Sequence, residues 1–103
     1  MSHPLVKKVE DQSKSAPVVV FMKGTAQFPQ CGFSARAIQV LKAAGIEDPV
    51  SVDVLSDEPL WDALEEFTKW PTVPQIFVKG QFVGGCDILS EMYERGELQE
   101  MLK

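Results

Sequence analysis

The residues with the clearest chemical potential stand at positions 31 to 34, where the chain reads Cys-Gly-Phe-Ser. A cysteine acts as a nucleophile or a metal ligand in its thiolate form, and a free cysteine titrates at about 8.5. A second cysteine three positions on would allow an intramolecular disulfide, but Ser34 holds that place. The pattern therefore predicts one thiolate that binds or exchanges, and it argues against a dithiol reductase.

The elements around Cys31 predict how its thiolate is stabilised. Residues 17–22 read as a β-branched, apolar strand, and residues 33–44 carry apolar side chains, Phe33 included, at helical spacing up to a stop at Gly45. Cys31 is then at a helix N-terminus, where free N–H groups and the helix dipole favour an anion, and Lys23 adds positive charge. The alternative is that Cys31 is a small buried hydrophobic residue.

The remaining pattern predicts the fold. A short amphipathic helix is expected over 4–14, and a second strand alternates Val50, Val52 and Val54. A helix capped by Ser56 runs to about Lys69. Two strands, 75–78 and 81–83, flank a Lys79-Gly80 turn, and apolar residues at helical spacing (Ile88, Leu89, Met92, Tyr93) follow, with a last turn or two after Gly96. This order predicts an α/β, thioredoxin-like fold: a mixed four-stranded sheet, with a parallel pair and an antiparallel hairpin, flanked by helices.

Length and composition predict a single domain over residues 1–103. No apolar run is long enough for a membrane span, and the N-terminus lacks a secretory pattern, so we expect a cytoplasmic protein or one in an organelle matrix after loss of a presequence. Two cysteines do not make the disulfide framework of a small secreted domain.

Charge is distributed unevenly around a net value of -5. Residues 47–66 hold eight acidic and no basic side chains, whereas residues 1–46 hold six basic and two acidic ones. This argues against a nucleic-acid surface in the acidic segment. The segment is either a solvated face or a docking surface for a basic partner.

Four segments together resemble one family, the CGFS-type monothiol glutaredoxins. They are Lys23-Gly24-Thr25, Pro29-Gln30-Cys31-Gly32-Phe33-Ser34, Trp70-Pro71-Thr72-Val73-Pro74-Gln75 and Gly84-Gly85-Cys86-Asp87. The resemblance implies a thioredoxin fold that binds glutathione and, as a homodimer, a bridged 2Fe-2S cluster. It also implies cluster assembly and delivery to apo iron-sulfur proteins, with BolA-like proteins as partners and neither nucleic acid nor membrane.

The resemblance also implies a ligand set for that cluster. Such a cluster takes four ligands, usually thiolates, so Cys31 from each of two chains and two glutathione thiolates complete the set. Cys86 is the alternative second ligand, but the resemblance places it beside glutathione. A zinc site is disfavoured because His3 is the only histidine.

The same resemblance assigns a glutathione site, and several of its residues have a second interpretation. Lys23 pairs with a carboxylate or is a solvent lysine. Pro74 is cis, leaving the Val73 backbone free to pair with glutathione, or is an ordinary trans proline. Asp87 binds the peptide's amino end or caps a helix, and Phe33 serves packing or function. The full set is Lys23, Cys31, Phe33, Thr72, Val73, Pro74, Gly85, Cys86 and Asp87, with Trp70 and Pro71 as a rim and Gly84 either near the anion or only in a turn.

One residue departs from the family pattern. Trp61 stands where the family commonly has a basic residue that holds the glycine carboxylate of glutathione. It covers the edge of the site or joins a core stripe with Leu64, and glutathione is then expected to bind more weakly or to rely more on Lys23.

A competing function is glutathione-dependent thiol-disulfide exchange. Cys31 would form a mixed disulfide that a second glutathione resolves, or that Cys86 resolves if it lies close enough. We expect at most weak oxidoreductase activity beside cluster carriage. A redox-silent interaction module is the third alternative.

Overall fold

A computed structural model describes residues 3–103. Its described residues form five helices and four strands in the predicted order. They are α1 (Val6–Ser13), β1 (Val18–Met22), α2 (Gly32–Ala43), β2 (Val50–Asp53), α3 (Glu58–Thr68), β3 (Gln75–Val78), β4 (Gln81–Gly84), α4 (Cys86–Glu94) and α5 (Glu97–Met101).

The sheet has the strand order β2-β1-β3-β4. β1 runs parallel to β2, while β3 pairs antiparallel with both β1 and β4. The predicted thioredoxin-like fold, with a mixed sheet built from a parallel pair and a hairpin, is therefore confirmed. The hairpin turns at Lys79 and Gly80 with φ values of 53° and 79°, as a tight two-residue turn requires.

The apolar run of β1 is explained by burial on both faces of the sheet. Val18, Val20 and Met22 pack with the buried side chains of α2, α4 and α5. Val19 and Phe21 face the opposite layer, which α1 and α3 cover. Because both faces are covered, a central strand needs no polar alternation.

Sheet register brings distant segments to one edge. Phe21, near the carboxyl end of β1, pairs with Gln75 at the start of β3, and Ile76 pairs with Gly84 at the end of β4. The loop after β1, the loop before β3 and the first turn of α4 therefore meet at that edge.

Two details of the predicted elements are wrong. The N-cap of α3 is Asp57, whose Oδ1 accepts a hydrogen bond of 3.2 Å from the Leu60 N–H. Ser56 instead donates its hydroxyl to Asp53 Oδ2 at 3.2 Å. The second strand ends at Asp53, and Val54 is buried just beyond it.

The helices described here are short. Among residues 3–103, none combines the length and the apolar character needed to cross a membrane.

Candidate functional site

A cleft of about 380 Å³ opens at the sheet edge where the three loops meet. All nine residues that the sequence assigned to the glutathione site line it. They are joined by four more lining residues: Trp61, Trp70, Pro71 and Ile88. The topology thus collects two cysteines, one lysine and one aspartate of the predicted site around a mostly apolar space.

Cys31 is the N-cap residue of α2, with an extended backbone at φ -156° and ψ 148°. Its side chain is partly exposed, so the alternative of a buried hydrophobic residue is wrong. The Ser34 N–H lowers the pKa of the Cys31 thiol, and although burial opposes this, the Ser34 hydroxyl, the Phe33 N–H and the charge of Lys23 add to the lowering. Cys31 is therefore biased toward the thiolate, with the helix N-terminus as the main cause.

Ser34 does more than stand in for a second thiol. It is fully buried, and its Oγ accepts a hydrogen bond of 3.3 Å from the Lys23 N–H. The serine thereby connects the end of β1 to the first turn of α2, on which Cys31 depends.

Lys23 and Trp61 form one side of the cleft. The Lys23 ammonium lies 5.6 Å from the centroid of the Trp61 ring, within cation–π range. Trp61 also packs against the core of the α1 and α3 layer, so it both covers the site edge and joins the core. Lys23 is half-buried and lines the cleft, which differs from a free solvent lysine.

The loop from Trp70 to Val73 forms the opposite wall. The Val73-Pro74 peptide bond is cis, as predicted. Within residues 3–103, neither the N–H nor the carbonyl of Val73 has a hydrogen-bond partner. Val73, which lines the cleft, therefore has a backbone donor and a backbone acceptor that are free to bind a ligand.

The start of α4 closes the third side. Cys86 is only 6% exposed, and burial raises the pKa of its thiol despite the opposing charge of Arg36. Cys86 is therefore a poor nucleophile. Asp87 is exposed in the first turn, and because the N-cap is Gly85, Asp87 is not the helix cap.

The two glycines before Cys86 have different places. Gly85 lines the cleft, whereas Gly84 is buried at the end of β4 with φ at 142°. A Cβ on Gly84 would lie 2.9 Å from Ile88 Cδ1, but one on Gly85 would only touch the Pro74 carbonyl at 3.5 Å. The turn requires glycine at position 84.

Apolar side chains surround the mouth of the cleft. Phe33 is 66% exposed, so its prediction as part of the apolar stripe of α2 is wrong. Trp70 and Ile88 are also exposed, which fits the predicted rim at Trp70. Sequence reasoning missed Ile88 because its helical spacing matched the buried stripe; its place directly after Cys86 and Asp87 was the available signal.

Two polar residues of β2 hold the loop that precedes Cys31, and the sequence reading missed both. Asp53 Oδ1 accepts hydrogen bonds from the N–H groups of Gly24 at 3.0 Å and Leu55 at 2.9 Å. Ser51 Oγ accepts one from Ala26 at 3.1 Å. Burial would raise the pKa of Asp53, but the N–H groups of Gly24 and Leu55, together with Ser56, lower it. Ser51 and Asp53 alternate with the valines of β2, and this alternation was the sequence signal that could have identified them.

Metal-ligating side chains are sparse in the described chain. Residues 3–103 contain no group of three or more His, Cys, Asp or Glu side chains arranged to hold a metal ion. Among these residues, Cys31 is not part of such a group.

Comparison with known proteins shows which family the chain resembles. A glutaredoxin family model matches residues 18–83. The whole chain is 44% identical to the mitochondrial monothiol glutaredoxin-5 of Saccharomyces cerevisiae and spans 70% of it. Over 95% of the chain, identity to glutaredoxin 4 of Escherichia coli K12 is 45%, and 84% of that protein is covered. A buckwheat glutaredoxin-glutathione complex matches with a TM-score of 0.82 at 28% identity, covering 94% of this chain and 86% of that one.

Proposed function

Because the chain belongs to the glutaredoxin family, among its monothiol members, we propose that it binds glutathione and carries a 2Fe-2S cluster for iron-sulfur assembly. Two chains share the cluster through Cys31 and two glutathione thiolates. The cluster is cargo that passes to apo iron-sulfur proteins, with BolA-like proteins as partners.

The observation that carries this proposal is the setting of Cys31. Its thiol has a lowered pKa and lies partly exposed at the mouth of the cleft, beside the exposed Phe33. The described chain offers no further cluster of metal ligands around it. A single thiolate at an open rim suits a centre whose other ligands come from a second chain and from small thiols.

The cleft also suits a γ-glutamyl tripeptide. Its volume of about 380 Å³ falls within the range of small-molecule sites. The free N–H and carbonyl of Val73 suit an extended peptide that pairs as an added strand. Lys23 supplies a cation for a carboxylate and Asp87 an anion for the amino end. Support comes from the buckwheat relative, which was solved as a glutathione complex.

The apolar rim supports association with another protein surface. Phe33, Trp70 and Ile88 are exposed beside Cys31, so a second chain that approaches the thiolate would cover them. We propose that the homodimer uses this rim when the cluster is bound. The compartment is proposed to be the cytoplasm or, as for the mitochondrial yeast relative, an organelle matrix.

A second candidate function is favoured by the same low-pKa thiol. The Cys31 thiolate would attack the glutathione sulfur of a protein-glutathione disulfide, releasing the protein thiolate and forming a Cys31-glutathione disulfide. A second glutathione thiolate would then attack that disulfide, restoring the Cys31 thiolate and releasing oxidised glutathione. Cys86 is a poor resolving thiol because burial raises its pKa.

Anaerobic cluster reconstitution tests the proposal. Iron, sulfide and a thiol reductant are added with and without glutathione to the native chain, Cys31→Ser and Cys86→Ser, and visible absorption and size-exclusion are recorded. We expect a coloured dimer that requires glutathione and Cys31 but survives loss of Cys86. A colourless monomer in every condition, with rapid turnover of a glutathione mixed disulfide, would favour the oxidoreductase instead.

A further inference from the structure

Gln75 is a polar residue buried behind the cleft wall. It is fully buried at the first position of β3, where it pairs with Phe21 of β1, and it does not line the cleft. Its Nε2 donates two hydrogen bonds, to the Trp70 carbonyl at 2.9 Å and to the Thr72 carbonyl at 3.0 Å. One buried side chain thus holds two carbonyls of the segment that forms the wall.

The wall has few other attachments. The Trp70 N–H donates to Thr68 Oγ1 at 3.2 Å, which ties it to the end of α3. Within residues 3–103, the two bonds from Gln75 are the only hydrogen bonds between the segment 70–73 and the sheet. The position of Thr72 and Val73 relative to Cys31 therefore depends on this amide.

Stability alone does not account for a glutamine here. Its Oε1 is buried without a hydrogen-bond partner, and an unsatisfied buried acceptor is destabilising. An apolar side chain of similar size would remove that cost, but the Trp70 and Thr72 carbonyls would then lose their donor. The two bonds and the unsatisfied acceptor oppose each other in the stability of the fold, whereas both bonds act to order the wall.

We propose that Gln75 is a positioning residue for the thiol ligand: it orders the free Val73 backbone groups before glutathione binds. This inference rests on the proposed glutathione site. A loop held in its bound conformation loses less entropy on binding, so removal of the amide weakens glutathione binding without changing Cys31 itself.

The test replaces the amide with an apolar chain of similar length, Gln75→Met. In the free protein, we expect the backbone ¹⁵N order parameters of Thr72 and Val73 to fall from about 0.85 toward about 0.6, because the loop is no longer held. In an NMR titration with reduced glutathione, we expect about fivefold to tenfold weaker binding. The pH profile of Cys31 alkylation is expected to stay unchanged, because the Ser34 and Phe33 N–H groups are untouched.

Gln99→Met is the matched control. Gln99 also has a buried Oε1 without a partner, but it lies in α5 and does not line the cleft. Unchanged order parameters and unchanged glutathione affinity in Gln75→Met would overturn the proposal, as would equal effects in the control. Gln75→Leu is the second variant, and loss of the folded state in both Gln75 variants would also overturn it, since the role would then be structural.

The two arms separate this inference from the function on which it rests. Backbone relaxation and alkylation are measured without glutathione. If the native chain fails to bind glutathione, the proposed function fails, while the order parameters of Thr72 and Val73 still decide whether Gln75 orders the wall.

Discussion

The buried Ser34 hydroxyl accepts a hydrogen bond from the Lys23 N–H at 3.3 Å while it also favours the thiolate of Cys31. In the motif, Ser34 marks the place of a missing thiol, but in the structure it joins the strand end to the helix start. The reactivity of Cys31 depends on this connection.

Ser34→Ala should make Cys31 less reactive at neutral pH. The hydroxyl is lost, but the Ser34 N–H, the largest cause of the lowered pKa, remains. We expect the alkylation midpoint to move to higher pH and the rate at pH 7 to fall about twofold to fivefold. Iodoacetamide labelling across pH measures both. Ser90→Ala, in α4, is the control and should leave the Cys31 profile in place; an unchanged profile in Ser34→Ala would contradict this role.

Trp61→Arg should tighten glutathione binding about fivefold, because a second cation joins Lys23 at the same side of the cleft. The affinity should also become more sensitive to salt. Titration with reduced glutathione at two ionic strengths measures both effects. Leu55→Arg adds the same charge at an exposed position that does not line the cleft, and it should have little effect. Equal tightening in both variants would indicate a general charge effect.

Acid should remove the stability that Asp53 provides. Its folded pKa is lowered, so its contribution is present above the unfolded value of about 3.9 and is lost as pH falls through the folded pKa. Asp53→Asn should therefore lower the free energy of unfolding by about 1 kcal/mol at pH 7, and the deficit should vanish in strong acid. Urea unfolding from pH 7 down to about pH 1.5 measures this. Asp48→Asn, at an exposed loop position, is the control; a deficit in strong acid as large as that at pH 7 would contradict the assignment.

Gly84→Ala should destabilise the fold much more than Gly85→Ala. Position 84 has φ at 142°, and its new Cβ would meet Ile88, whereas position 85 has room. We expect a loss of about 1–3 kcal/mol for Gly84→Ala and less than about 1 kcal/mol for Gly85→Ala, measured by urea unfolding. Similar losses in the two variants would show that strain at Gly84 is not the cause.

The fold and much of the cleft could be predicted from local patterns. The apolar run of β1 and the Lys79-Gly80 turn indicate the central strands of the sheet. The order of these strands brings the motif residues to one edge. The structure brings all nine predicted residues to one cleft.

The supporting residues could not be predicted in this way. Asp53 acts through sheet register, since it meets a loop 29 residues away in the chain. Gln75 bonds to carbonyls three and five residues before it, but its burial depends on the pairing of β3 with β1. Helical spacing also could not separate Phe33 and Ile88, which rim the cleft, from neighbours that are buried. Three-dimensional placement decides these cases, and a single sequence does not provide it.

The central claim, a cluster shared between two chains through Cys31 and glutathione, is tested most directly by native mass spectrometry of the anaerobically reconstituted protein. The account predicts one species that contains two chains, one 2Fe-2S cluster and two glutathione molecules, and its absence in Cys31→Ser. A cluster bound to a single chain, or to a dimer without glutathione, would contradict it.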